Sequence, residues 1–184
     1  MRLGLFGGTF DPIHSGHIHL IRQLLERNIV DEIVVVPAGN PWMRSDGPFA
    51  SAMDRLAMTQ LAIAELPKNA KDRIQVSECE VVREGPTYTI DTVEELVATQ
   101  PGVKVLLILG SDAAAEIGKW HRSSELQNLV ELLVIARDGD GLDIDALDLS
   151  STQVRQELLT HQSVSGEIPA SVLTYIKEHN LYAS

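Results

Sequence analysis

What most constrains the fold of this chain is the regular alternation of short apolar runs with segments of helical periodicity. Leu3 to Phe6 is an apolar run closed by Gly7-Gly8, and Ile33 to Val36 is a β-branched run closed by Pro37. Runs of this length and composition fit strands buried on both faces. Between them Ile18, Ile21, Leu24 and Leu25 recur at helical spacing, which predicts a helix over about 15–28 with one buried face. Met53, Leu56, Ala57, Leu61 and Ala64 mark a second helix, and a strand is predicted from Ile74 to Val82. A helix from Thr89 to Ala98, a strand from Val103 to Leu109, a short helix from Ser124 to Leu129 and a strand from Leu132 to Ala136 follow. Ser150 to Thr160 and Pro169 to Asn180 read as C-terminal helices, the latter with proline in its first turn. Alternation of this kind predicts an α/β fold, a doubly wound parallel sheet with right-handed crossovers. Ligands of such sheets lie beyond the strands' carboxyl ends, at the switch point. A length of 184 residues suits a single domain over 1–184.

Charge narrows the partners. Fifteen basic against 26 acidic residues give a net charge of −11, which repels nucleic acid and anionic lipid surfaces. A small phosphorylated substrate is still accommodated, because a few cations and backbone amides outweigh a screened global field at contact distance. The apolar stretch from Val105 to Leu109 falls far short of the roughly 20 residues of a membrane-spanning helix. The apolar run after Arg2 ends at Phe6, unlike a secretory signal. A lone Cys79 allows no internal disulfide and fits a reducing, cytoplasmic setting. The stretch from Pro37 to Pro48 is long, polar and rich in Gly and Pro, as a substrate loop is. Asp138, Asp140, Asp143 and Asp145 lack the closing glutamate of a calcium loop and read as a solvated turn.

The chemistry concentrates in Gly7-Gly8-Thr9-Phe10-Asp11-Pro12-Ile13-His14-Ser15-Gly16-His17, between the first strand and the first helix. Two glycines let backbone approach a ligand, and the amides at the loop and helix start form an anion site. His14 and His17, three apart, face the same way on a helical turn and can donate hydrogen bonds to a phosphoryl group. Neither G-x-G-x-x-G nor the P-loop lysine motif is present. Ser150 and Gln153 fit a capping box, yet Arg155 places a cation near that helix start, against the dipole, unless an anion sits there. Thr89 and Asp91 read on structural grounds alone as helix caps. Asp112, just past a strand end, suits either a cap or a ribose contact. Trp120 lies between Gly118-Lys119 and His121-Arg122, a polar setting unlike a core stripe, while His19, His161 and His179 carry no assigned role.

His14-Ser15-Gly16-His17 resembles the H-x-G-H signature of the nucleotidylyltransferase superfamily, and Ser150-Ser151-Thr152-Gln153-Val154-Arg155 resembles its second motif. Three further segments narrow the resemblance to the bacterial nicotinate mononucleotide adenylyltransferases. They are Gly85 to Thr92, Gly110-Ser111-Asp112 with Lys119-Trp120, and Ile168-Pro169 to Leu181-Tyr182. The resemblance implies a Rossmann-like fold and transfer of the adenylyl group of ATP to nicotinate mononucleotide. The products would be nicotinate adenine dinucleotide (deamido-NAD) and pyrophosphate, in NAD biosynthesis, with Mg²⁺ carried in by ATP and no protein metal site. It implies His14, His17 and Arg155 as catalytic residues, and ATP bound by these together with Gly7, Gly8, Thr9, Phe10, Ser150, Ser151 and Thr152. For the nicotinate nucleotide it implies Arg44, Tyr88, Thr89, Gly110, Asp112, Trp120 and His121, the ring stacked on Trp120 and its carboxylate at the Thr89 and His121 amides. Pro41-Trp42-Met43-Arg44 departs from the Pro-Pro-His-Lys of many members, replacing a compact ammonium by a forked guanidinium. Transfer to another phosphate such as phosphopantetheine, or a noncatalytic nucleotide sensor, are the rival readings, and homo-oligomerisation is left open.

Overall fold

In a computed structural model, which describes residues 1–41, 47–136, 141–144 and 147–183, the strands form a single parallel sheet in the order β3-β2-β1-β4-β5-β6. The elements along the chain are β1 (Arg2–Gly8), α1 (Ser15–Glu26), β2 (Glu32–Pro37), α2 (Ala52–Ala64), α3 (Lys68–Lys71), β3 (Ile74–Val76) and α4 (Thr89–Thr99). There follow β4 (Lys104–Gly110), α5 (Ser111–Glu116), α6 (Ser123–Leu129), β5 (Glu131–Ala136), β6 (Leu142–Asp143), α7 (Ser151–Leu159) and α8 (Ala170–Glu178). A 3-10 turn at Ile117–Lys119 joins α5 to α6. The doubly wound α/β architecture is as the alternation predicts.

The sheet is buried on both faces, which is why its strands read as continuous apolar runs. On one face Phe6, Ile33 and Val35 pack with Ile21 and Leu24 of α1, Met58 of α2 and Val172 and Ile176 of α8. On the other, Leu3, Leu5, Val34 and Leu107 pack with Ile90 and Val93 of α4 and Leu126 of α6. Each such side chain, fully enclosed, contributes about 1.5–3 kcal/mol. β1 is flanked by β2, with Gly8 opposite Pro37, and by β4, with Leu5 opposite Leu107. The chain therefore reverses its direction of winding between β1 and β4, and their diverging carboxyl ends open a crevice. Among the described residues no helix is long and apolar enough to cross a membrane.

Three local expectations are corrected. The strand predicted from Ile74 to Val82 ends at Val76: Ser77 N–H still reaches Val35 O at 2.9 Å, but Cys79 N–H then turns to Ser77 Oγ, and Val82 is 65% exposed. Within the acidic stretch read as a solvated turn, Leu142–Asp143 pairs with β5 as β6 and Ile144 is buried; Asp138, Asp140 and Asp145 lie outside the described residues. Pro169 is the capping residue ahead of α8 rather than part of its first turn. The short helices α3 and α5 were not anticipated, having too few residues to display an apolar period.

Candidate active site

The loop after β1 is shaped by its own side chains. Phe10, buried and at φ 49°, packs edge-on to Phe6 at 5.4 Å and to His17 at 5.0 Å. A Cβ on Gly8 would stand 2.8 Å from the Phe10 ring, so only glycine lets the loop wrap around it. Gly7 has open space on its Cβ side, leaving bare backbone toward a ligand. His14 occupies the cap of α1 and its ring stacks on that of His17, centroids 3.7 Å apart. The His14 backbone N–H donates to His17 Nδ1 at 3.2 Å, so in the neutral ring the proton sits on Nε2.

Across the crevice Ser150 caps α7, its Oγ accepting from Gln153 N–H at 3.1 Å. Only half of the capping box forms, because the Gln153 side chain donates to Glu157 instead. Ser151 Oγ donates to Pro12 O at 2.9 Å and so ties α7 to the loop. Arg155 departs from expectation. It is the fifth residue of α7, beyond the first turn, and almost fully buried. Its Nη1 donates to Asp11 O at 2.6 Å and its Nη2 to Thr152 Oγ1 at 3.2 Å, with the Phe49 ring 4.4 Å from the guanidinium carbon.

Two cavities open at the carboxyl ends of the strands. The first, of about 300 Å³, is lined by Gly7, Thr9, Pro41, Glu80, Thr87, Tyr88, Thr89, Gly110, Trp120 and His121 among others. The second, of about 470 Å³, is lined by Phe10, His14, His17, Gly110, Ser111, Asp112, Ser150, Ser151 and Thr152 among others. Phe6, Gly7, Gly8 and Gly110, the ends of β1 and β4, wall both. The sequence-derived set is therefore largely brought together, in two groups, with Asp112 in the second rather than beside Trp120. Tyr88 and His121 stack at 4.1 Å, and Trp120 is half-buried with an enclosed indole Nε1–H that has no protein acceptor among the described residues. Neither Thr89 nor Asp91 caps α4; Tyr88 holds that position without a side-chain bond, so amides of the first turn face the cavity region. Arg44 lies outside the described residues.

Sequence reasoning missed four buried polar residues that hold this arrangement. Asp11 accepts from Phe49 N–H at 2.7 Å, Ala50 N–H at 3.1 Å and the Tyr182 hydroxyl at 2.7 Å. Burial, and next the Asp11 carboxyl beside it, push the Tyr182 phenol far above the ordinary tyrosine range. Arg55, with no exposed surface, donates to Thr9 O at 2.7 Å, Gly39 O at 3.0 Å and Ala50 O at 3.3 Å. Its signal was present, a charged residue on the apolar stripe of α2 with Met58, Thr59 and Ala62. Glu80 is buried, which raises its pKa, while hydrogen bonds from Thr92, Thr87 and Gly39 and the charge of Arg83 pull it back.

A model of the cytidylyltransferase-like family matches residues 5–157. A Neisseria meningitidis protein named probable nicotinate-nucleotide adenylyltransferase is 37% identical, covering 98% of this chain and 98% of its own length. A Dehalococcoides mccartyi protein of the same name is 36% identical over 99% of this chain and 97% of its own. Among solved structures, Plasmodium falciparum nicotinic acid mononucleotide adenylyltransferase complexed with NaAD superimposes with a TM-score of 0.82 at 23% identity, covering 98% of this chain and 97% of that one.

Proposed function

Because this chain belongs to the cytidylyltransferase-like family, and within it to the nicotinate-nucleotide adenylyltransferases, we infer that its adjoining cavities bring ATP and nicotinate mononucleotide together. The enzyme transfers the adenylyl group of ATP to nicotinate mononucleotide, giving nicotinate adenine dinucleotide and pyrophosphate in NAD biosynthesis. The observation that carries the reading is the shared wall of Phe6, Gly7, Gly8 and Gly110, whose three glycines present no side chain where the reacting phosphates of two ligands can meet. In the reaction an oxygen of the nucleotide's 5′-phosphate forms a bond to the α-phosphorus of ATP. The α–β bridging bond breaks opposite to it, and its electron pair leaves with pyrophosphate.

In this assignment the second cavity takes the triphosphate. His17, through Nε2–H, and His14 meet the leaving oxygens, and the amides of Gly16 in α1 and of Ser151 and Thr152 in α7, with the side chains of Ser150 and Thr152, supply an anion cradle. Arg155 acts as a positioning residue, holding the Asp11 carbonyl and the Thr152 hydroxyl behind that cradle. Asp112 lies where a ribose hydroxyl of the adenosine could donate to it. Mg²⁺ would enter as part of the ATP substrate and offset the charge of its phosphates. Catalysis then rests on alignment and charge stabilisation, in the reducing cytoplasm that the lone Cys79 fits.

The first cavity takes the pyridine nucleotide, with the ring against Trp120 and its carboxylate toward the Thr89 and His121 amides. Glu80 also lines this cavity, with its Oε1 already accepting from the Thr92 hydroxyl. The test is pyrophosphate release from ATP with nicotinate mononucleotide in the presence of Mg²⁺. Turnover with that acceptor and none with phosphopantetheine is expected; release without formation of the dinucleotide would overturn the assignment.

A further inference from the structure

The wall of the first cavity has little help from the sheet, because the chain leaves the ladder after Val76 and regains regular structure only at α4. Between them Glu80, 8% exposed, draws the wall together. Thr92 Oγ1 of α4 donates to Glu80 Oε1 at 3.0 Å, the Thr87 hydroxyl donates to Asn40 O at 3.4 Å, and Gly39 packs directly on the Glu80 backbone. Gly39 is thereby held from both sides, since its carbonyl accepts from the buried guanidinium of Arg55 at 3.0 Å. The approach is so close that a Cβ on Gly39 would stand 1.9 Å from Glu80 O. One residue further, Asn40 O accepts from Thr87 N–H at 3.3 Å, and Pro41 pairs with Thr87. Through these contacts the segment after β2, the turn that presents Tyr88 and Thr89, and α4 itself are joined around Glu80.

We propose that Glu80 is a positioning residue for the pyridine nucleotide, setting the first cavity's walls through its bond to Thr92 of α4 and its backbone contact with Gly39. This rests on the reading of the first cavity given above. Arg55 provides the contrast, for it also holds Thr9 O in the loop that borders both cavities, whereas the described bonds of Glu80 fall on one side only. An amide in place of this carboxyl leaves one acceptor oxygen instead of two and turns an NH₂ into the buried wall. Glu80→Gln keeps the volume and makes that change, and Thr92→Val removes the hydroxyl donor while keeping shape.

The experiment measures binding of nicotinate mononucleotide by calorimetry, and separately KM for each substrate and kcat, on folded parent, Glu80→Gln and Thr92→Val proteins. Glu80→Gln is expected to raise Kd and KM for nicotinate mononucleotide roughly tenfold, as loss of a charged buried hydrogen bond does, with KM for ATP and kcat at saturation within about twofold. Thr92→Val is expected to shift the same constants roughly threefold, and it decides the matter should Glu80→Gln not fold. Arg55→Lys is expected to move both KM values. Parent-like binding of nicotinate mononucleotide in the variants, or an equal shift in both KM values for Glu80→Gln, overturns the proposal. A parent protein that binds ATP but no nicotinate mononucleotide overturns the assignment of the cavity itself, and the proposal with it.

Discussion

His17 is the residue on which the chemistry leans most directly, because its ring is fixed by stacking on His14 and by the bond to Nδ1. His17→Ala is expected to lower kcat/KM by roughly 10² to 10³ in a protein that is still folded at the assay temperature, read from pyrophosphate release and a thermal melt. A small loss confined to KM would instead make the ring a passive wall. The nicotinate subsite yields a second expectation. Backbone amides donate and do not accept, so a carboxamide in place of the carboxylate loses charge-assisted bonds and turns an NH₂ toward donors. Discrimination against nicotinamide mononucleotide should reach about 10⁴ in kcat/KM, measured by direct competition. At this scale the sequence exposes residues whose neighbours in the chain explain them. His14, His17 and Ser150 to Thr152 stand at helix starts, where orphan amides announce an anion. Arg55 showed only as a charge on an apolar stripe, and the bracing roles of Asp11, Glu80 and Tyr182 not at all, because their meaning lies in distant partners; Tyr182 meets Asp11 across 171 positions.

The strands flanking the crevice were visible because burial on both faces leaves an unbroken apolar run, a signal that survives without context. β6 was not, having two residues inside an acidic stretch, and β3 was overextended because Val81 and Val82 have strand propensity but no ladder partner. Helix α2 shows how an element is set against another. Ser51 caps it and donates to Asp54 Oδ2 at 2.6 Å, while the Tyr175 hydroxyl of α8 donates to Oδ1 at 3.0 Å. The Ser51 hydroxyl first, and then that of Tyr175, hold the Asp54 carboxyl below the usual carboxylate range, against the effect of partial burial. A depressed pKa stabilises the fold above the ordinary value, near 4, and that stability is lost as pH falls through the lowered one. Asp54→Asn should therefore cost about 1 kcal/mol in urea unfolding at pH 7 and progressively less below about pH 4. A difference independent of pH would show that the ionised carboxyl is not what joins α2 to α8.

For the molecule as a whole, the phosphate loop is braced from both ends of the described chain. Asp11, 171 residues before Tyr182, draws in Phe49 and Ala50 through its carboxyl and Arg155 through its carbonyl. Tyr182→Phe should lower stability by about 1 kcal/mol and weaken ATP binding more than binding of the pyridine nucleotide, since the loop belongs chiefly to the second cavity. Equal KM values for ATP in parent and variant would confine the contact to folding. The order of synthesis gives that contact a further consequence. The β1 loop is made well ahead of its brace, which lies 171 residues later, roughly 10 to 30 s at ordinary elongation rates. A nascent chain can assemble much of its sheet while the nucleotide loop still waits for Tyr182, so that loop reaches its fully braced form later than the strands that carry it.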